Sequence, residues 1–460
     1  EDGQPYRIKD LAAAQSRLFG MQTFSLVTVK PDLSDPTVKA VPIKVEVTEN
    51  RFRSLQFGIG LRTQNILNWE PHVSTRFRHT HLFYQLIRAE LSARVGLSGY
   101  SPSPKIASQI YPVWRFSGSL TYPRIFGQRV AQQVQVKVER AFDQALALHD
   151  NPEVDLRTIW RPSDALVMQL GPHLEYVSYV DRTLLDNARR FYGPEFDGSY
   201  LLTSLDYSLT LDWRDDPLTS KRGSFFSTTL RYAFPFVTAD DYHFLAFSGD
   251  WRYFLPVRIG NDVPITFATR VHGKVLFPLG NDGIPYPEKL FLGGSSNMRG
   301  FPSRGMGPYQ ALVTERTDDA GETTTSFNYL PVGGTFGIVL EEELRYHTSF
   351  GLTYAGFVDA GTLSNPWGTL TGDVPEPFVV GLIEGFRVAG GLGVRYGSPI
   401  GPIRFDVAVR PRYPEDDCPV NYPNCRAGTQ LQRRLDLIRT FDADAKGPGV
   451  MVFFAFGEAI

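Results

Sequence analysis

The feature that most limits the fold of this chain is an alternation of apolar and polar residues that begins near Phe52 and recurs to the C-terminus. Between Leu205 and Trp213 every second residue is large and apolar, and the intervening residues are small or acidic. Successive side chains of a β-strand point to opposite faces, so this pattern gives the strand one apolar face and one polar face. A single strand of this kind suits a soluble sandwich or a membrane barrel.

Repetition of the pattern favours the barrel. The same alternation returns at residues 224–235, 243–257 and 402–411, with charges of both signs on the polar face. Sixteen strands are predicted, at residues 52–63, 71–83, 84–98, 110–122, 129–143, 153–160, 165–181, 199–213, 224–235, 243–257, 263–278, 335–347, 352–363, 387–398, 402–411 and 449–460. An even number of antiparallel strands can close into a transmembrane barrel, which needs only about 9–11 residues for each crossing.

The connections between these strands alternate in length. Short connections are predicted at residues 215–217, 256–262, 348–349 and 399–401. Long connections are predicted at residues 184–198, 280–334, 365–385 and 412–447. Short periplasmic turns and long outer loops are typical of outer-membrane barrels, so the alternation predicts the same fold.

The composition excludes several other classes. The chain has 47 basic and 49 acidic residues, which gives no electrostatic footprint for nucleic acid. No apolar run approaches the roughly 20 residues of a membrane-spanning helix. Neither a phosphate-binding Gly-Lys-Ser/Thr loop nor a Gly-x-Ser-x-Gly elbow is present, and His79 with His81 is predicted to be a pair of wall residues. We therefore predict a protein that is not an enzyme and binds no cofactor or metal.

The first fifty residues form a different unit. Ile8, Leu11 and Leu18 follow helical spacing, and strands are predicted at residues 24–29 and 41–47. A helix–strand–strand fragment is too small for a core of its own, so we predict that its domain begins upstream. The polar start of the chain lacks a signal peptide, which indicates a mature or truncated chain. The predicted division is residues 1–50 and residues 51–460.

One segment between strands, residues 291–301, combines three glycines with an arginine. Gly293, Gly294 and Gly300 permit tight turns, while Arg299 offers a planar fork of donors that suits paired carboxylates. The segment is either an ordinary surface loop or a site where Arg299 meets buried acids.

This loop, Gly-Gly-Ser-Ser-Asn-Met-Arg-Gly-Phe, resembles the signature loop of the BamA/TamA outer-membrane assembly family, whose common form is Val-Arg-Gly-Phe/Tyr. Met298 stands where the family has valine. Further similarities follow in the family's order, at residues 212–217, 222–223, 343–346, 357–361, 391–399 and 401–406. The resemblance covers about residues 52–460, and the first fifty residues resemble the second half of a POTRA domain. It implies an all-β fold, a 16-stranded antiparallel transmembrane β-barrel in the outer membrane, preceded by a partial α+β POTRA domain in the periplasm.

The resemblance also implies that the loop folds into the lumen and that Arg299 pairs there with acids. The expected loop residues are Gly293, Gly294, Met298, Arg299, Gly300 and Phe301. The strand alternation independently turns Glu341 and Glu343 inward on the twelfth strand and Asp359 inward on the thirteenth. We predict that Glu343 and Asp359 bind Arg299, with Glu341 as a further acidic partner. Alternatively, these acids only line a wet lumen.

The first and last strands form a predicted weak seam. Glycines interrupt both strands, at Gly58, Gly60, Gly449 and Gly457. The residues predicted to flank the seam are Leu55, Phe57, Ile59, Val452, Phe454 and Phe456. An exposed strand edge can pair with a client strand. Alternatively, the glycines only relieve crowding inside the barrel.

The implied function is the folding and insertion of unfolded outer-membrane β-barrel clients, or help with their translocation, driven by folding free energy. Expected partners are these clients, membrane lipid, and accessory lipoproteins or periplasmic proteins that bind the POTRA domain. Two alternatives stay open, namely a polypeptide secretion pore of the two-partner type and a barrel anchor for a soluble domain. Cys418 and Cys425 are candidates for a local disulfide in an oxidising compartment, although a reduced pair fits as well.

Overall fold

A computed structural model of the 460-residue chain shows one 16-stranded sheet and two 2-stranded sheets, built from antiparallel strands. The structure describes residues 7–20, 23–32, 41–65, 68–83, 86–100, 109–123, 129–143, 147–180, 199–236, 242–259, 263–280, 283–306, 309–317, 323–331, 333–366, 386–398, 401–411 and 449–456. Within these ranges, none of the helices combines the length and apolar character needed to cross a membrane.

The N-terminal unit contains one helix and two strands. Helix α1 (Ile8–Gly20) precedes strands β1 (Phe24–Pro31) and β2 (Ile43–Glu49), which pair with each other in antiparallel register. Val27 and Val29 of β1 are buried. The predicted order of helix, strand and strand is therefore confirmed. The identity of this unit as part of a POTRA domain and the boundary at residue 50 stay predictions.

Sixteen strands form the large sheet, so the predicted strand number and antiparallel arrangement are confirmed. They are β3 (Arg53–Asn65), β4 (Asn68–Leu82), β5 (Ile87–Tyr100), β6 (Gln109–Pro123), β7 (Val130–Asp143), β8 (Ala147–Trp160), β9 (Leu166–Tyr179), β10 (Ser199–Asp212), β11 (Gly223–Ala233), β12 (Phe244–Ile259), β13 (Val263–Pro278), β16 (Phe336–His347), β17 (Leu352–Ser364), β18 (Arg387–Ser398), β19 (Gly401–Arg410) and β20 (Gly449–Phe456). Each pairs with its neighbour in the chain, except that β13 pairs with β16. Between them lie a 3₁₀ turn, Tyr286–Glu288, and strands β14 (Tyr309–Thr317) and β15 (Thr323–Pro331).

The hairpin of β14 and β15 was not predicted. It lies inside the connection expected at residues 280–334 and forms a separate two-stranded sheet. Neither strand joins the large sheet, so the alternation that identifies the wall strands gives little information about this hairpin.

Three wall strands are longer than predicted. Each contains a proline at or near which the prediction placed the end of the strand. β4 begins at Asn68, β8 begins at Ala147 and β12 extends to Ile259. Pro71 is paired with Leu61 on β3 but not with a residue of β5, and Pro152 is likewise paired with Val138 on β7 only. A proline lacks the N–H that a ladder requires, so it can be accommodated where one side of the ladder is left open.

Closure of the barrel through a ladder between its first and last strands was expected and is not seen in the described residues. β20 pairs with β19 and β3 pairs with β4, but no register joins β3 to β20. In the described residues, β20 has eight residues and β3 has thirteen. Phe57 and Ile59 of β3 are 80% and 93% exposed. The expected closed ladder is therefore corrected to a sheet with two free edges.

The sheet curves around the segment 283–306, which lies against its polar face. A single apolar cluster joins this segment to the wall strands. Its members from the segment are Ile284, Leu290, Leu292, Met298, Phe301 and Met306, and those from the wall are Leu202, Ala233, Phe244, Ala246, Leu276, Val339, Leu363 and Ala389. These wall residues belong to seven strands, from β10 to β18. One segment can contact so many strands only from the concave side of a strongly curved sheet.

Candidate functional site

The glycine-rich loop reaches its position through turns that only glycine adopts easily. Gly293, Gly294 and Gly300 have φ angles of 114°, 103° and 93°. The N–H of Gly294 donates to the carbonyl of Phe301 at 2.9 Å, and the N–H of Gly293 donates to Oδ1 of Asn297 at 2.9 Å. A Cβ at Gly300 would lie 2.6 Å from Cβ of Ala389 on β18. The loop therefore needs glycine here for both backbone conformation and space.

Arg299 stands at the tip of this loop and is 1% exposed. Its backbone N–H and its Nε donate to Oδ2 of Asp359 at 2.9 and 2.8 Å, and its Nη2 donates to Oδ1 at 2.5 Å. Nη1 donates to Oε1 of Glu343. The Phe357 ring centre lies 3.6 Å from Cζ. Paired carboxylates and an aromatic face together compensate for the lost hydration of the guanidinium.

Glu343 is shared by three arginines. Besides Arg299, it accepts hydrogen bonds from Nε of Arg345 at 2.8 Å and from Nη2 of Arg395 at 2.5 Å. A further pair extends the cluster on β19, where Nε of Arg404 lies 3.2 Å from Oδ2 of Asp406. The side chains of these residues are at most 3% exposed. The cluster therefore joins the loop to β16, β17, β18 and β19 through buried charges.

The charge of Arg299 is fixed by this environment. Burial by itself disfavours the charged form, but the hydrogen bonds with Asp359 and the negative charges of Glu343, Asp359 and Glu341 outweigh it, and they raise the pKa of Arg299 above its usual value. The loop tip thus carries a permanent positive charge.

Glu341 does not bind Arg299 in the way predicted. Its carboxylate is 1% exposed and lies 3.4 Å from Nη1 of Arg270 and 3.4 Å from Nε2 of His272, both on β13. It acts on Arg299 only through its charge at longer range. The physical reason is its place along β16, because inward residues two apart on a strand are separated by about 6.6 Å. The loop tip stops beside Glu343, and Glu341 pairs across the ladder with Arg270 instead.

The remaining predicted loop residues form its apolar side. Met298 and Phe301 are buried in the luminal apolar cluster. Cζ of Arg410 lies 4.7 Å from the centre of the Phe301 ring. The loop therefore presents ionic contacts and apolar contacts to the same wall.

A second ionic contact, not predicted from the sequence, holds the segment at other strands of the same sheet. Glu288, in the 3₁₀ turn, accepts from Nη1 of Arg231 on β11 at 2.5 Å, and Nζ of Lys274 on β13 donates to the Glu288 carbonyl at 2.7 Å. Arg231 also donates Nη2 to Oδ2 of Asp206 on β10 at 2.9 Å. The segment 283–306 is thus fixed to β11 and β13 at one point, with Arg231 connecting this point to β10, and to β16–β19 at another.

The residues predicted to flank the seam lie on the two free edge strands. Leu55, Phe57, Ile59 and Val452 are exposed. Phe454 and Phe456 occupy β20 by their backbone positions, opposite Phe405 and Ile403 of β19. Cys418 and Cys425 lie outside the described residues, so their disulfide stays a prediction. The described part of the chain contains no group of three or more His, Cys, Asp or Glu residues arranged to hold a metal ion.

The fold is similar to that of a solved outer-membrane structure. The crystal structure of BamA from Haemophilus ducreyi lacking POTRA domains 1-3 superposes with a TM-score of 0.62 at 17% identity, covering 89% of this chain and 76% of that chain. CdiB from Escherichia coli gives a TM-score of 0.48 at 13% identity, covering 91% of this chain and 69% of that chain. The superposition on BamA confirms the expected likeness to the BamA fold.

Sequence comparison identifies the family. The mouse (Mus musculus) sorting and assembly machinery component 50 homolog is 26% identical over 201 residues, which are 43% of this chain and only 38% of that protein. Residues 91–422, more than half of the chain, match the Omp85 superfamily domain. The ordered motifs, the strand order and this match lead to one assignment, and the chain belongs to the Omp85 superfamily.

Proposed function

We propose that this chain is a non-enzymatic assembly factor that folds and inserts β-barrel proteins into the outer membrane at the seam between β3 and β20. The observation that carries the proposal is the pair of free strand edges in an otherwise continuous sheet of sixteen strands. A free edge offers unpaired N–H and C=O groups to an incoming strand. Membership in the Omp85 superfamily supports this function, as do similarities to proteins named BamA and sorting and assembly machinery component 50.

The apolar outer face supports placement in a membrane. Large apolar side chains are exposed on wall strands along the whole sheet, among them Phe57, Leu91, Leu170, Leu205, Phe247, Leu340, Val358 and Leu392. Water would be an unfavourable solvent for such a surface, whereas lipid tails would cover it. The proposed partners are unfolded barrel clients and lipid, with accessory proteins at the N-terminal unit in the periplasm.

Backbone pairing supplies the proposed driving force. Each unpaired backbone N–H or C=O group of a client strand that enters the bilayer costs several kcal/mol of free energy. The free edge of β3 or β20 satisfies these groups before the client has formed its own ladder. Nucleotide hydrolysis is therefore unnecessary, because client folding provides the free energy.

The secretion-pore alternative requires a polypeptide path along the lumen. The segment 283–306 opposes this path, since it is bound to the inner face at two points, at Glu288 to β11 and β13 and at Arg299 to β16 and β17. An apolar cluster of buried residues also joins this segment to the sheet. Clearing the lumen would expose that cluster and separate several buried charges, so we favour insertion at the seam.

A cysteine lock across the seam tests the proposal. In a chain with Cys418 and Cys425 replaced by serine, Ile59→Cys and Phe454→Cys are oxidised, together with neighbouring pairs that cover other registers. The chain is reconstituted in liposomes with an unfolded barrel client, and client folding is followed by its shift on an unheated gel. We expect the locked seam to abolish acceleration over protein-free liposomes and reduction to restore it.

The matched control is a lock within the continuous sheet. Leu209→Cys and Thr228→Cys face each other across β10 and β11, and their disulfide should leave client folding unchanged. Undiminished client folding by a fully locked seam would refute insertion at this place. Absence of acceleration by the unlocked chain would refute the insertase function itself.

A further inference from the structure

The outer face of strands β3–β7 contains an apolar recess next to the free edge. It has a volume of about 470 Å³, within the usual range of small-molecule sites. Three small residues on neighbouring strands, Thr75, Ala93 and Gly118, belong to its lining, and Thr75 lies opposite Ala93 while Gly118 lies opposite Leu91. The larger apolar residues of the lining are Leu55, Phe77, Leu91, Phe116, Val136 and Val138.

These residues share the face that is turned away from the lumen. Leu55, Leu91 and Phe116 are exposed large apolar residues. The alternate residues of the same strands make polar contacts on the other face, such as the 2.7 Å hydrogen bond between Ser92 and Ser117. The recess is thus an indentation of the lipid-facing surface, and its lining is suited to a hydrocarbon chain.

Two basic side chains lie directly beyond the recess, toward the short-turn end of the sheet. Arg53 and His79 face each other across β3 and β4, and they share the outer face with Leu55 and Phe77 because each is two residues away. The offset is therefore about 6.6 Å along the strands. Arg53 is exposed. Nδ1 of His79 accepts the N–H of His81 at 3.2 Å, which leaves Nε2 as the donor of that ring.

We propose that the recess and this basic pair bind one glycerophospholipid, with its phosphodiester at Arg53 and His79 and one acyl chain in the recess. Charge complementarity specifies the headgroup, because a guanidinium fork and an imidazole donor both suit a phosphate. The apolar recess, about 6.6 Å from the basic pair along the strands, is suited to an acyl chain of the same lipid. The site rests on the proposed membrane placement but is independent of insertion activity. Since Leu55 and Arg53 belong to β3, the lipid contacts the edge strand of the seam.

Native mass spectrometry of the full chain in detergent tests this site. The probes are phosphatidylglycerol and, as a lipid with the same chains but no phosphodiester, diacylglycerol. We expect phosphatidylglycerol to bind about tenfold more tightly than diacylglycerol, because diacylglycerol lacks the phosphate that accepts a charge-assisted hydrogen bond. Arg53→Gln combined with His79→Gln should remove this tenfold preference. Gly118→Leu and Ala93→Leu, which fill the recess, should weaken the binding of both lipids.

Two control variants distinguish the site from the general lipid surface. Arg222→Gln changes an exposed arginine in a turn at the same end of the sheet. Gly356→Leu adds a side chain to the outer face of β17. A Cβ at this position would lie 3.8 Å from Cδ2 of Leu392, which is an ordinary van der Waals contact. Both should bind phosphatidylglycerol like the unchanged chain.

The outcomes that overturn the proposal are separate for headgroup and chain. Equal binding of the two lipids, or unchanged phosphatidylglycerol binding by the Arg53 and His79 double variant, would exclude the headgroup site. Unchanged binding by both recess-filling variants would exclude the chain site. Circular dichroism verifies the strand content of every variant, and at least one recess variant must fold for the comparison. Client folding in liposomes is measured apart, so failure of this site leaves the proposed assembly function intact.

Discussion

Removal of Arg299 and Asp359, separately and together, measures whether the luminal loop is fixed by a specific buried ion pair. Arg299→Ala removes the positive charge and both side-chain donors of Asp359 and leaves it the backbone N–H of residue 299, while Glu343 keeps Arg345 and Arg395. Asp359→Ala leaves a buried guanidinium with Glu343 as its hydrogen-bonding carboxylate. Each single change therefore leaves one buried charge poorly compensated.

The expected magnitudes follow from this burial. Breaking a buried pair by removing one partner costs about 3–5 kcal/mol. Independent effects would add to about 6–10 kcal/mol, but the double variant has neither orphaned charge, so we expect about 4–6 kcal/mol. The coupling between Arg299 and Asp359 should thus be about 2–4 kcal/mol, in the range of close buried charge pairs.

Reversible urea unfolding of the reconstituted chain, followed by tryptophan fluorescence and by gel shift, gives the four free energies of the cycle. The control pair is Arg78 and Glu90, whose side chains are 36% and 29% exposed and 3.0 Å apart. Their coupling should be below about 1 kcal/mol. Additivity of the Arg299 and Asp359 effects within about 0.5 kcal/mol would refute the ion pair as the element that fixes the loop.

Three further expectations concern the same loop and one turn. Glu343→Gln should lower the free energy of unfolding more than Glu341→Gln in the same urea titration, because Glu343 is shared by three arginines; equal losses would contradict this ranking. Gly300→Ala should destabilise the chain by at least about 1–3 kcal/mol, since φ is 93° and the new Cβ meets Ala389; an unchanged urea midpoint would contradict the tight loop. Burial tends to raise the pKa of Asp215, but the N–H groups of Lys221, Arg222 and Asp216 lower it overall, so its stabilising effect is complete above the ordinary pKa of 3.8 and is lost as pH falls below it. The protection of the amides in this turn, measured relative to their intrinsic exchange rates, should therefore fall at acid pH, and Asp215→Asn should remove that pH dependence; an identical dependence in the variant would exclude Asp215 as its source.

The wall of the sheet could be predicted from the sequence because each strand carries its own orientation. In β16 the alternation turns Glu341, Glu343 and Arg345 to the lumen, and all three are buried there. The strand limits were less accurate where prolines such as Pro71 and Pro152 lie within strands. A proline in isolation indicates a boundary, and only the ladder shows that one side can tolerate the missing N–H.

The site could be predicted only in part. Strand alternation tells which face of the sheet a side chain occupies, but it does not tell which residue on that face lies beside the loop tip. Glu341 and Glu343 were equivalent by that criterion, and the position of the loop tip distinguishes them. Arg404 and Asp406 are among the charged residues predicted on the polar face of residues 402–411, but only the fold shows that they lie close to Arg299. The contact between Glu288 and Arg231 spans 57 residues and has no local sequence signal.

The segment 283–306 acts as an internal core for the curved sheet, and this explains how curvature and free edges coexist. Apolar burial of Leu292, Met298 and Phe301 favours docking without specifying direction, while the ion pairs of Glu288 and Arg299 specify where the segment docks. Together these contacts connect β10–β13 to β16–β19 from within. Those strands therefore keep their curvature without a ladder between β3 and β20, which is the arrangement that the proposed insertion at the seam requires.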